Sequence, residues 1–102
     1  MAEGRLQGQV VVVSGAGTGI GAGVAKLAAA EGANVLLLGR RLEKLEETAA
    51  AIAGAPGTAV ALTCDVTDAG DIDRAVSRAL DDWGRVDGLV NNAGSFQMAH
   101  AL

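Results

Sequence analysis

The sequence predicts an α/β fold, a doubly wound parallel sheet, and three observations carry the prediction. Short apolar runs recur, most plainly Val10–Val13 and Val35–Leu38, of strand length and apolar throughout, as in strands covered on both faces. Between such runs lie segments long enough for helices, with apolar side chains at helical spacing. Clusters of glycine, asparagine or aspartate punctuate the junctions. The resulting β-α-β-α-β-α-β alternation, joined by right-handed crossovers, gives strand order 3-2-1-4 and stops after the fourth strand.

Each element has a local reason. Met1 to Gln9 is a polar lead-in, and Val10–Val13 is the first strand. The first helix runs from Gly19 to Glu31 with Ile20, Val24, Leu27 and Ala28 as its apolar pattern, and Gly32 stops it. Asn34 to Leu38 is the second strand. The second helix sets Leu42, Leu45, Ala49 and Ile52 on one face and Glu43, Lys44, Glu46 and Glu47 on the other, until Gly54-Ala55-Pro56-Gly57 breaks it. Thr58 to Cys64 is the third strand. Thr67 or Asp68 caps the third helix, with Asp71 in its first turn complementing the helix dipole. That helix carries Ile72, Val76, Ala79, Leu80 and Trp83, ends at Gly84, and leads into a fourth strand from Val86 to Val90.

Composition narrows the function classes. At 102 residues, half of them hydrophobic and 20% charged, the chain suits a packed α/β layer structure rather than a disordered segment. A net charge of −4 offers no basic footprint for nucleic acid. The longest apolar runs are far too short to span a bilayer, and no secretory signal is visible. One cysteine and one histidine make an internal disulfide impossible and leave a metal site short of ligands, so no metal is expected. A cytoplasmic location fits.

The strongest motif is Ser14-Gly15-Ala16-Gly17-Thr18-Gly19-Ile20-Gly21, a glycine turn between the first strand and first helix. Glycine lets the chain reverse tightly, brings backbone close to a phosphate and lets helix and strand pack closely. The helix then aims unpaired N–H groups and its positive end at an anion. A dinucleotide pyrophosphate suits such a turn; the adenosyl group of S-adenosylmethionine, or a turn with no ligand, are the alternatives. In a doubly wound sheet, ligands sit beyond the carboxyl ends of the strands where strand order reverses, here between strands one and four. Four loops meet at that edge: Ser14–Gly21, Gly39–Arg41, Asp65–Thr67 and Asn91–Gly94.

About twenty residues past the glycine turn, where an acid would hold a ribose 2′-hydroxyl, the chain has Arg40 and Arg41. A guanidinium there pairs with a 2′-phosphate, which favours NADP over NAD, although the plainer reading of both arginines is a solvated helix start. Asp65, or the N–H of Val66 after it, meets an adenine edge, or Asp65 simply bonds its own turn. Asn92 reaches ribose while Asn91 ties neighbouring strand ends, or both are turn residues. Together with Ala93 and Gly94, these residues and the glycine turn form the candidate cofactor-binding set. Cys64, Trp83, Met98 and His100 are read as packing or tail residues.

Ser14-Gly15-x-x-x-Gly19-Ile20-Gly21, Asp65-Val66 and Asn91-Asn92-Ala93-Gly94 together resemble the short-chain dehydrogenase/reductase family, over Leu6 to Gly94. The resemblance implies a Rossmann-type fold, a nicotinamide cofactor and hydride transfer between it and a carbonyl or alcohol carbon. It implies cofactor contacts at Gly15, Gly17, Thr18, Ile20, Arg40, Asp65, Val66 and Asn92. Thr18 stands where many NADP-dependent members carry a basic residue, so NAD stays open. The family's catalytic Tyr-x-x-x-Lys follows the Asn-Asn-Ala-Gly segment in chains of more than twice this length. This chain has no tyrosine, and its lysines are Lys26 and Lys44, so no catalytic residue carries over. The expectation is an incomplete cofactor-binding domain over 1–102, inactive alone, whose fourth strand invites self-association. The alternative is a non-catalytic nucleotide-binding or interaction module that pairs with a full-length relative.

Overall fold

A computed structural model describes residues 4–17 and 19–92. The elements are β1 (Val10–Ser14), α1 (Gly19–Ala30), β2 (Asn34–Gly39), α2 (Leu42–Ile52), β3 (Thr58–Thr63), α3 (Ala69–Trp83) and β4 (Gly88–Asn91). All strand pairs are parallel and the sheet order is β3-β2-β1-β4, as the alternation requires. Val12 at the middle of β1 pairs with Leu36 of β2 and Leu89 of β4, so β1 is the central strand with neighbours on both sides.

Successive side chains of a strand point to opposite faces, and both faces here are covered. Val13, Val35 and Leu37 pack on one face against Ala25, Ala28 and Ala29 of α1 and Leu45 and Ile52 of α2. Val10, Val12, Leu36 and Leu38 pack on the other against Ala75 and Ala79 of α3 and Cys64 beyond β3. This explains the unbroken apolar run in β2: consecutive Leu36 and Leu37 are each fully buried, on opposite sides.

The helix faces differ from expectation. In α1 the buried residues are Gly21, Ala22, Ala25, Ala28 and Ala29, whereas Ile20 and Leu27 are 74% and 66% exposed. The small side chains let the α1 backbone lie close on the valine and leucine side chains of β1 and β2, and the large ones point outward. The same holds in α3, where Ala75 and Ala79 are buried while Val76 and Leu80 are exposed. In α2, Leu42 is exposed and Thr48 joins Leu45 and Ile52 on the buried face.

Termini follow the expected chemistry. The Asp68 carboxylate accepts the Asp71 N–H at 3.1 Å and caps α3, and Gly84 closes that helix in the left-handed region with its N–H on the Leu80 carbonyl. Strand β4 begins at Gly88 rather than Val86 because Asp87 serves as a latch before it. The Asp87 carboxylate accepts the Val10 N–H at 2.7 Å, its own N–H donates to the Val10 carbonyl at 2.8 Å, and Arg85 pairs with it at 2.7 Å.

Hydrogen bonds from Arg85 and then from the Val10 N–H hold the Asp87 carboxyl below its ordinary value of 3.8. A carboxylate depressed in the folded state stabilises it above the unfolded value, and that contribution is lost as pH falls through the folded one. Replacing Asp87 by Asn is therefore expected to lower Tm at neutral pH. It should also flatten the fall of Tm with acid below pH 3.8, the change being followed by circular dichroism melts across the acid limb.

Candidate functional site

The carboxyl ends of the strands gather the loops that the sequence singles out. Crossover α1 lies on one face and α3 on the other, so the chain changes winding direction between β1 and β4. A crevice at such a point is where open α/β sheets take ligands. Residues Gly15–Gly17, Arg40 and Arg41, Cys64–Asp68 and Asn92 all follow strand ends on this edge. Thr18, Ala93 and Gly94 lie outside the described residues.

In the glycine turn, Gly15 and Gly19 have φ of 63° and 59°, left-handed values that side chains rarely adopt. Gly21 has a different reason: a Cβ there would overlap the Gly15 carbonyl oxygen and lie 3.0 Å from the Asn92 Nδ2. The first turn of α1 thus presses on both the glycine loop and the end of β4, and only glycine allows the approach. Ala16 is fully buried, its N–H donating to the Leu38 carbonyl at 3.0 Å. Ser14 is buried too; its hydroxyl donates to Asn91 Oδ1 at 2.9 Å and accepts the Asn92 N–H at 2.9 Å. Its side chain therefore ties β1 to β4 beneath the crevice.

At the other two loops the polar groups divide clearly. Arg40 is exposed and makes no hydrogen bond or ion pair among the described residues, whereas Arg41 pairs with Glu43 at 3.3 Å in a solvated contact that is weak by its exposure. The Asp65 Oδ1 accepts the Thr67 hydroxyl at 2.6 Å and the Thr67 N–H at 2.9 Å. Those bonds, hydroxyl first, and the charge of Arg40 hold the Asp65 carboxyl below the usual carboxylate range. The turn reading of Asp65 is thus realised at one oxygen, leaving Oδ2 for another partner.

Residues that the sequence did not mark as site residues hold this loop. Asp71 Oδ2 accepts the Asp65 N–H at 2.9 Å, and Arg74 bridges Asp71 at 3.1 Å and the Thr63 carbonyl at 3.3 Å. The N–H groups of Cys64 and Asp68 go to the carbonyls of Gly39 and Asp65. Within Cys64–Asp68 the Val66 N–H alone has no acceptor among the described residues. Thr48 was likewise missed, though it stands three residues after Leu45 and four before Ile52 on the buried stripe. Burial pushes the Cys64 thiol up, away from the reactive thiolate. Among the described residues no cluster of metal-ligating side chains occurs, and no helix is long and apolar enough to cross a membrane. At this edge, then, the Val66 N–H has no acceptor and the exposed Arg40 side chain no hydrogen-bonding partner among the described residues.

Substituting Gly21 by Ala is expected to destabilise the fold by about 1–3 kcal/mol through forced displacement of the Gly15 carbonyl. Gly23→Ala, two residues along α1 where a Cβ meets nothing within 4 Å, is expected to be neutral or stabilising. Paired thermal melts of the two variants check this.

Comparison with known proteins agrees with this geometry. A family model described as short chain dehydrogenase matches residues 9–102. Sorbitol dehydrogenase from Cereibacter sphaeroides is 43% identical over 95 residues, which are 93% of this chain and 36% of that protein. The crystal structure of a hydroxysteroid dehydrogenase from Escherichia coli superposes with a TM-score of 0.85 at 34% identity, over 89% of this chain and 39% of that one. A metagenomic short-chain oxidoreductase in complex with NADP gives a TM-score of 0.82 at 43% identity, over 87% of this chain and 40% of that one. The chain thus spans well under half the length of the relatives it matches. With a matching family model over nearly all its length and the family's sheet order in its fold, this chain belongs to the short-chain dehydrogenase/reductase family of oxidoreductases.

Proposed function

We propose that residues 1–102 are the nucleotide-holding part of one Rossmann-type domain that takes NADP in the crevice between β1 and β4. The activity it serves is hydride transfer between nicotinamide and a carbonyl or alcohol carbon, in the cytoplasm. The observation that carries this reading is the turn at the end of β1, where a Cβ on Gly21 would collide with the Gly15 carbonyl. A site in which backbone must come close to a phosphate needs such a cradle.

In this reading Gly15, Ala16, Gly17, Thr18, Gly19, Ile20 and Gly21 surround the pyrophosphate at the amino end of α1, and Ser14 holds the strand beneath. Arg40, which makes no hydrogen bond or ion pair among the described residues, meets the 2′-phosphate with Arg41 beside it. Asp65 Oδ2 and the Val66 N–H are an acceptor and a donor side by side, a pair that matches the hydrogen-bonding edge of adenine. Asn92, Ala93 and Gly94 line the ribose side. The NADP complex of the metagenomic relative supports the choice of cofactor.

When bound, the nicotinamide supplies the hydride chemistry; the residues described here bind and orient. The sequence has no tyrosine, and Lys44 is drawn to Glu47 at 3.9 Å, so these residues supply no general acid of the family's kind.

Titrating NADPH and NADH against the purified chain tests the assignment. Arg40→Asp is expected to weaken NADPH by roughly tenfold to a hundredfold, the worth of one charge-assisted hydrogen bond, and to spare NADH. Equal NADPH affinity in the variant would overturn the role of Arg40. The chain alone is expected not to oxidise NADPH with any of a panel of carbonyl compounds, and turnover would refute the binding-only role of these residues.

A further inference from the structure

We propose that Thr48, on α2 and outside every family motif in the sequence, is a positioning residue for the phosphate-holding turn. The inference rests on the dinucleotide reading above. Thr48 is 3% exposed, and its hydroxyl donates to the Ala16 carbonyl at 2.9 Å across 32 residues of sequence. A threonine inside a helix ordinarily returns its proton to the carbonyl four residues back. That carbonyl, of Lys44, is available here at 3.4 Å, yet the shorter contact goes to the turn.

The consequence follows from peptide geometry. In a trans peptide the C=O of one residue and the N–H of the next point in opposite directions. Thr48 holds the Ala16 carbonyl inward against α2, so the Gly17 N–H is turned away from α2. That N–H has no acceptor among the described residues and is free to serve a ligand. The preceding peptide is fixed independently, by the Ala16 N–H on the Leu38 carbonyl at 3.0 Å. The seat is tight, since a Cβ on Gly17 would lie 2.8 Å from the Lys44 Cβ, one turn of α2 before Thr48. Without the hydroxyl, the 16–17 peptide loses what opposes its rotation, and a rotated peptide presents a carbonyl oxygen to the anion in place of a donor.

The test compares two probes on the same protein: NADPH, which contains the pyrophosphate, and adenosine 2′-monophosphate, which does not. Thr48→Val keeps the shape and removes the donor. It is expected to raise the NADPH dissociation constant about tenfold and leave that of adenosine 2′-monophosphate unchanged. Thr48→Ser, which restores the hydroxyl, is expected to restore NADPH affinity to within about twofold. Circular dichroism establishes that each variant folds, and Thr48→Ala gives the same comparison should Thr48→Val fail to fold. Wild-type affinity for NADPH in the folded valine or alanine variant overturns the proposal, as does equal weakening of both probes. A wild-type chain that binds neither NADPH nor NADH defeats the cofactor reading and this proposal together. A wild type that binds beside an unaffected Thr48→Val defeats only the latter.

Discussion

The close approach of α1 to the sheet is the constraint on which the site depends. Gly21, Ala22, Ala25, Ala28 and Ala29 form the buried side of that helix, so its backbone lies almost directly on the valine and leucine layer. Only at that separation can the first turn of α1 meet both the Gly15 carbonyl and the Asn92 side chain. Larger residues would lift the helix, and its amino end would leave the point where β1 and β4 diverge. Packing and site geometry are here one property, because the residues that fill the core set the distance at which an anion would meet the helix.

A second regularity is that three of the four loops of the crevice are held by a polar side chain from another element. Ser14 of β1 holds the end of β4, Thr48 of α2 holds the glycine turn, and Asp71 with Arg74 of α3 holds the loop after β3. Most of these bonds end on backbone atoms, which orients peptides rather than side chains. Buried polar groups that find partners rigidify their surroundings, and the backbone donors left over, on Gly17 and Val66, are then presented in fixed directions. Where donors belong to backbone, their directions are set by residues elsewhere in the fold.

Much of this was legible in the sequence. The order of elements, the parallel sheet and its 3-2-1-4 order followed from apolar runs, helical spacing and glycine punctuation; the α3 cap was narrowed to Thr67 or Asp68, and the structure selects Asp68. The helix faces were misjudged where hydrophobic size stood in for burial: Ile20, Leu27, Val76 and Leu80 are exposed, and alanines take the interior. Close packing selects small side chains, and a spacing rule that weighs large apolar residues misses it. Thr48 was illegible for another reason. Its partner is a backbone carbonyl distant in the chain, and no side chain at that position announces the bond.

Cys64 carries a practical consequence. Its sulfur is enclosed between the sheet and α3, where a thiol-directed label reaches it only when that layer parts. Since the chain has a single cysteine, the speed at which a label attaches would report one event, separation of α3 from the strands, without interference from any other site. The protein thus contains its own clock for local opening, set beside the loop that faces the proposed adenine.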